Sequence, residues 1–361
     1  MSKSTLESIS LTTPEAISNY KHSISLIDNT NPYYSLELLN NHLDHQELNF
    51  FTYKINGALK AVMPFIQRKI IMHGKETGYF DVTSPWGYNG PLFDTVMSQE
   101  LIEDFWKLVD NWYKENKVVS EFIRFNFKHN YEGYTGTKVH TLRNVKGNIA
   151  DWDNFWSNLK SNTRNQFRKA KKEGLVFEIH YKDIALEKVK AFYDVYIGTM
   201  DRRDAIDSFY HPLEYFTNFA AQNPGKCAVG LVYEGDLPIS CELFLISNDT
   251  MYSFLGGTSS DHFKLRPNEY LKINAIEWAR GVGLEYYMIG GGLSNSETDN
   301  LYLYKKKYFP YDDDIHFYTG RKIIDQEAYL KLCELNSAGS SKMDALNVAQ
   351  GFFPKYREKI G

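Results

Sequence analysis

Two stretches of this chain carry apolar-rich runs on either side of a two-residue turn. In FFTYKINGALKAVMPFIQRK, residues 50–69, the turn is Asn56-Gly57; in CAVGLVYEGDLPISCELFLISN, residues 227–248, it is Gly235-Asp236. Apolar runs of this length bounded by such turns mark strands, and these dipeptides favour the positive backbone angles of tight hairpins. Each hairpin is followed by another apolar run (78–82 and 250–255), an amphipathic helix (99–115 and 268–280) and a further strand (121–127 and 284–289). The order β-β-β-α-β therefore occurs twice, which predicts an α/β (mixed α+β) protein of two similar units, each a mixed, mostly antiparallel sheet flanked by helices. The expected division is 1–150 and 151–335, with a tail at 336–361.

The second copy is the more informative. Pro267 suits the first turn of a helix, and Leu271, Ala275, Trp278, Ala279 and Val282 recur on one face at steps of three and four before Gly281 and Gly283. The strands on either side end in Gly256-Gly257 and Gly290-Gly291-Gly292. Both ends are expected at the same edge of one sheet, where α/β proteins place ligands and where first-turn amides lack helical partners. The plainer alternative is that the glycines only make turns and close packing.

Between the copies, Trp152, Phe155, Trp156 and Leu159 form an apolar helical stripe, and Lys160, Arg164, Arg168 and Lys172 follow at four-residue steps. Like charges so spaced repel. A pyrophosphate, a nucleic-acid backbone or a lipid headgroup would offset them, as would a solvated face softened by Glu173. Residues 315–320 read as a strand, 326–335 as a helix, and SAGSSK as a flexible break.

Composition narrows the class. With 361 residues there is length for two cores, and a net charge of −4 argues against indiscriminate coating of nucleic acid. The 26 Tyr and 23 Phe suit broad half-buried grooves. Cys227, Cys241 and Cys333 match neither a disulfide framework nor a zinc pattern, and no segment approaches the roughly 18 apolar residues of a membrane span. A cytoplasmic location is expected. His211 and His262 lack partners at ligand or triad spacing, so metal use is not expected.

The motifs NTRNQFRKAKKEG (162–174), GDLPIS (235–240), YSFLGGT (252–258), LRPNEYL (265–271), IGGG (289–292) and KKKYF (305–309) resemble, in this order, the GNAT-fold transferases of the Fem type, the peptidoglycan-bridge aminoacyltransferases and their relatives. SPWGYNGPLFD (84–94) looks like the substrate-side loop of that group. The resemblance covers about residues 25–335. It implies two tandem GNAT-like domains, the second being the donor side, and transfer of an acyl or aminoacyl group to an amine. The donor would be aminoacyl-tRNA or acyl-CoA, with no tightly bound cofactor. The acceptor would be a nucleotide- or lipid-linked sugar of cell-envelope polysaccharide biosynthesis, with peripheral contact at the inner membrane face. By the same resemblance Lys306 would hold the acceptor or stabilise the oxyanion, Arg164, Arg168 and Lys169 would lie in a phosphate-binding stretch, and Asp94 would be the acidic residue after the proline loop. Tyr252, Gly256, Gly257, Thr258, Asn268 and Gly291 are the substrate-binding candidates of the remaining motifs.

Departures from the family pattern are equally specific. The loop KLRP offers no glycine and Pro267 has no amide, which weakens the case for coenzyme A. Trp86, Tyr88 and Asn89 stand where cell-wall members are more basic, a composition suited to a sugar or a base. Glu242 interrupts an apolar strand on the face opposite Ile239, Cys241, Leu243 and Leu245, and competes with Asp94 as general base; a salt-bridged strand carboxylate is the alternative. The competing functions are an acetyl-CoA-dependent N-acetyltransferase and a non-catalytic protein that docks its basic helix and Trp152/Phe155/Trp156 stripe on RNA or membrane.

Overall fold

The computed structural model describes residues 3–39, 46–336 and 342–358. In chain order these form β1 (Ser4–Ser10), α1 (Pro14–Ile27), α2 (Leu36–Leu39), β2 (Gln46–Ile55), β3 (Ala58–Met72), β4 (Lys75–Thr83), β5 (Leu92–Phe93), α3 (Gln99–Glu115), β6 (Val118–Arg124) and β7 (Thr137–Asn148). There follow α4 (Trp152–Asn158), α5 (Ser161–Lys172), β8 (Val176–Tyr181), α6 (Leu186–Arg202), α7 (Leu213–Gln222), β9 (Cys227–Glu234), β10 (Leu237–Ile246) and β11 (Thr250–Thr258). The last are α8 (Pro267–Gly281), β12 (Tyr286–Gly291), α9 (Asn300–Lys306), β13 (Ile315–Ile323), α10 (Gln326–Leu335) and α11 (Lys342–Leu346). Asn56 and Gly57 turn with φ of 49° and 83°, as the hairpin reading requires.

The chain divides into two compact units, residues 1–29, 38–141 and 317–361, and residues 30–37 and 142–316. In the first, β1, β2, β3 and β4 pair antiparallel in succession, β4 pairs parallel with β6, and β6 antiparallel with β13. Phe105, Trp106, Val109 and Tyr113 of α3 cover one face, against Phe51, Phe65, Val82 and Ile123. Around Ile70 and Val119 gather Tyr329 and Leu332 of α10, and then Ala345, Phe353 and Tyr356. Segment 317–335, assigned to the second unit from sequence, thus packs in the first, because β13 pairs with β6 and α10 supplies apolar side chains to that core. Residues 342–358 are likewise anchored there rather than forming a tail. Most of the SAGSSK break, residues 337–341, lies outside the described residues.

In the second unit the strand order is β7-β12-β11-β10-β9-β8. Neighbours are antiparallel except β11 and β12. Leu271, Ile273, Ala275, Ile276 and Ala279 of α8 are buried in a core with Phe155, Phe244, Met251, Tyr287 and Phe309. Helix α6 packs against β10 and β11. Val282, expected on the apolar face of α8, is instead 47% exposed, since the helix ends one residue before it. Tyr33, in the short segment 30–37, meets Tyr252 edge to face at 5.5 Å, and Glu37 accepts a hydrogen bond from Asn223 Nδ2 at 2.9 Å.

Candidate functional site

The site begins with an interruption of the sheet. β11 and β12 run parallel, yet their register covers only Thr250 to Tyr252 against Tyr286 to Met288, while β11 continues to Thr258 and β12 to Gly291. Past Tyr252 the strands part, and the first turn of α8 sits at the gap. Pro267 stands at its first helical position after Arg266, whose φ of 62° turns the chain into the helix. The result is a cavity of about 420 Å³ lined by residues of α6, β10, β11, α8, β12 and α9.

Of the candidates read from sequence, Glu242, Gly256, Gly257, Thr258 and Asn268 line this cavity together. Gly257 also answers to packing: a Cβ there would lie 2.5 Å from Thr199 Oγ1 and 2.7 Å from the Val195 carbonyl oxygen of α6. Thr199 Oγ1 in turn accepts the Thr258 amide at 3.0 Å. The two readings of the glycines therefore coincide at one place. Asn268 Nδ2 donates to the Tyr304 hydroxyl at 2.6 Å, whereas Gly291 does not line the cavity and meets it only through Lys305, whose ammonium its carbonyl oxygen accepts.

Glu242 is not a free base. Its carboxylate takes Lys272 Nζ on both oxygens at 2.6 and 2.7 Å, with the Tyr287 hydroxyl at 3.2 Å and the Ser253 hydroxyl beside it. Both charged partners are buried, so the pair is a fixed polar network in the cavity's floor. Burial next to Glu242 raises the Tyr287 phenol well above its ordinary value. Cys241 also lines the cavity, but burial drives its thiol pKa upward and its Sγ points to the Phe192 carbonyl oxygen at 3.4 Å. It is not an activated nucleophile.

Lys305, rather than Lys306, reaches the cavity. Its Nζ donates to the Gly291 carbonyl oxygen at 2.6 Å. Burial, and then the neighbouring Lys272 charge, pull its pKa down to about 8. Lys306 turns to Asp314 at 2.7 Å and lines a second cavity of about 480 Å³ with Lys160 and Arg164. One residue along a helix rotates a side chain by about 100°, and this separates neighbouring lysines. Arg202, Arg203 and Arg266 complete the main cavity's cationic lining, and Glu269, also lining it, is paired with Lys307 at 2.9 Å.

The basic helix departs from expectation. Arg164 folds back to donate to the carbonyl oxygens of Trp156, Ser157 and Leu159 at 3.0, 2.8 and 2.5 Å, closing the end of α4. Arg168 and Lys169 are exposed on α5 and line neither cavity; Arg168 lies 5.8 Å over the Trp156 ring. The Trp152, Phe155 and Trp156 stripe is no free anchor, since Phe155 is buried and both tryptophans pack on the core. Tyr252 lies against Tyr33 and lines neither cavity.

The remaining candidates are in the first unit. Lys60 holds the Asp94 carboxylate at 2.6 Å and pulls its pKa below the usual range, which leaves a poor proton acceptor. Asn89 is buried and bound within its own loop, to the Pro85 carbonyl oxygen at 3.2 Å and the Gly90 amide at 2.9 Å. Tyr88 packs on Phe127 and Phe317, with its pKa pushed up to about 12 by burial. Trp86 alone of the three is exposed.

Sequence reasoning missed Lys272, Ser253, Tyr287, Tyr304 and Lys305. Lys272 carried a signal: it precedes Ala275, Ile276 and Ala279 at helical spacing, so a lysine shares the buried side of the helix.

Residues 157–306 match the acetyltransferase (GNAT) domain family. Among solved structures the chain is similar to FemX, with a TM-score of 0.64 and 13% identity over 90% of this chain and 99% of that one. It is similar to L-PGS from Bacillus licheniformis, at 0.56 and 13% over 86% and 92%. A third similarity is to the C-terminal domain of a putative lysylphosphatidylglycerol synthetase from Agrobacterium fabrum, at 0.52 and 11% over 73% and 81%. No curated protein sequence matches the chain. Among the described residues no helix is long and apolar enough to cross a membrane. The chain has the Fem-like GNAT fold, and its second unit contains the segment that matches the GNAT acetyltransferase domain.

Proposed function

We propose that the second unit transfers an acyl or aminoacyl group to an amine of a glycan or cell-envelope precursor. The observation that carries this reading is the gap between β11 and β12, with the Lys305 ammonium beside it and arginines in its lining. In the reaction the amine nitrogen bonds to the donor's carbonyl carbon and the bond from that carbon to the leaving oxygen or sulfur breaks. The leaving atom takes up the proton that the amine gives up. Lys305 faces the charge that develops on the carbonyl oxygen, in a site where burial strengthens such an interaction. The lysine-bound carboxylates Glu242 and Glu269 shape the floor, and Cys241 is too poor a thiolate for a covalent intermediate.

Aminoacyl-tRNA is the favoured donor. The turn into α8 supplies few amides, since Arg266 precedes a proline, and a pyrophosphate cradle of wrapped glycines is missing from it. The Fem-like fold supports the same choice. The match of 157–306 to an acetyltransferase domain favours a second reading, acetyl transfer from acetyl-CoA. The test offers the purified protein labelled aminoacyl-tRNA and, separately, labelled acetyl-CoA, with nucleotide- and lipid-linked sugars as acceptors. Label moving from aminoacyl-tRNA to an acceptor amine is the expected result. Transfer from acetyl-CoA alone selects the second reading. If neither label moves and neither donor raises the melting temperature, the proposal fails.

A further inference from the structure

The first unit holds a cavity that the transfer reaction does not use. It measures about 260 Å³, and its lining includes Arg68, Arg124, Arg321 and Arg357 with Phe122 and Phe352. Four guanidiniums converge there from β3, the end of β6, β13 and the turn after Pro354. Among the described residues one carboxylate answers them. Asp81, fully buried in β4, accepts Arg68 Nε at 2.6 Å, Arg357 Nε, and the Tyr356 hydroxyl at 3.0 Å.

The other two arginines are uncompensated. No ion pair or side-chain hydrogen bond joins Arg124 to another described residue, and its guanidinium lies 4.9 Å over the Phe122 ring. Burial, and then the Arg68 charge, pull its pKa down to about 10. Arg321 gives Nη1 to the carbonyl oxygens of Val348 and Gly351, each at 3.0 Å, while its buried Nε has no hydrogen-bond partner. Carbonyl dipoles aim this guanidinium without neutralising it.

Withdrawing cations from water beside other cations is unfavourable, and an anion that accepts from several guanidinium forks reverses the sign. We infer that this pocket binds a phosphoryl or pyrophosphoryl group, with Arg124 and Arg321 as its principal donors. The volume is below the roughly 300–1,000 Å³ of sites that enclose a drug-sized ligand, so the pocket takes the anionic group and leaves the rest of the ligand outside. Phe352, 50% exposed in the lining, offers that remainder an apolar contact. Soluble phosphate esters and phospholipid headgroups carry this chemistry alike.

Calorimetric titration of the full chain with inorganic pyrophosphate is the direct test. One site per chain is expected, weakened about tenfold by Arg124→Gln and by Arg321→Gln, since each removes a charge-assisted fork. Arg124→Gln should melt no lower than wild type in anion-free buffer, because it removes a charge that has no counter-ion, whereas Arg321→Gln also gives up the hydrogen bonds to the Val348 and Gly351 carbonyl oxygens. Arg124→Lys, which keeps the charge and loses the fork, should fall between. Sedimentation with phosphatidylcholine vesicles, with and without phosphatidic acid, identifies the source: binding that needs phosphatidic acid and Arg124 assigns a lipid headgroup, and pyrophosphate binding alone assigns a soluble ester. Neither pyrophosphate nor vesicle binding by wild type, or binding unchanged in both glutamine variants, would overturn the inference.

Discussion

Replacing Lys305 by methionine should make the protein more stable at neutral pH while removing the proposed transfer activity. An ordinary lysine titrates near 10.5, and in the folded chain Lys305 titrates near 8. Below pH 8 the side chain is charged in both folded and unfolded chains, and the folded state carries the full penalty of holding it, about 3 kcal/mol. Between pH 8 and 10.5 the unfolded chain alone keeps the proton, so stability from this group rises with pH, and by pH 10 the penalty has fallen to about 1 kcal/mol. Methionine fills similar space without the charge, at the loss of the hydrogen bond to the Gly291 carbonyl oxygen, worth about 1 kcal/mol. Lys305→Met should thus gain about 2 kcal/mol at pH 7 and nothing at pH 10. Urea denaturation of both proteins at the two pH values measures this, and turnover should fall by roughly a hundredfold or more. Equal stabilities at pH 7, or a gain that persists unchanged at pH 10, would refute the argument that Lys305 is held as a buried cation.

Lys272→Met strands the Glu242 carboxylate and should cost about 3–5 kcal/mol, most of it recovered in Lys272→Met/Glu242→Gln; chemical denaturation of the set checks this, and no recovery in the double variant would contradict it. Arg164→Ala uncaps α4 and should lower stability by about 1–2 kcal/mol with the KM for donor unchanged, whereas a raised KM would return Arg164 to a phosphate-binding role. Lys306→Ala should leave turnover within a few-fold of wild type, in contrast to Lys305→Met, because its ammonium serves Asp314. Gly257→Ala should lower the melting temperature, with a cost of about 1–3 kcal/mol, as α6 is pushed off the sheet.

The repeated architecture was legible because it rests on local signals. The turn dipeptides Asn56-Gly57 and Gly235-Asp236 between apolar runs and the proline at 267 each specify backbone geometry within a few residues, and helix 99–115 is found with those bounds. Less visible was whatever depends on rotational phase. On α9, Leu301 and Lys305 share a face that lines the cavity, while Tyr302 and Lys306 share the adjacent one and both bind Asp314. A run of three lysines contains no clue to which face packs inward. The placement of β13 was hidden for a related reason: its pairing with β6 joins positions some two hundred residues apart, and no local pattern encodes that. Arg164 illustrates a third case, since its four-residue spacing is equally compatible with gripping a ligand and with closing the preceding helix.

The parting of β11 from β12 has a consequence for how such a protein diversifies. The opening belongs to the path of two main chains, whose pairing ends at Tyr252 and Met288, and the arginines stand at its border rather than in the pairing. Substitutions at Arg202, Arg203 or Arg266 can therefore alter which molecules enter while the aperture itself is inherited intact.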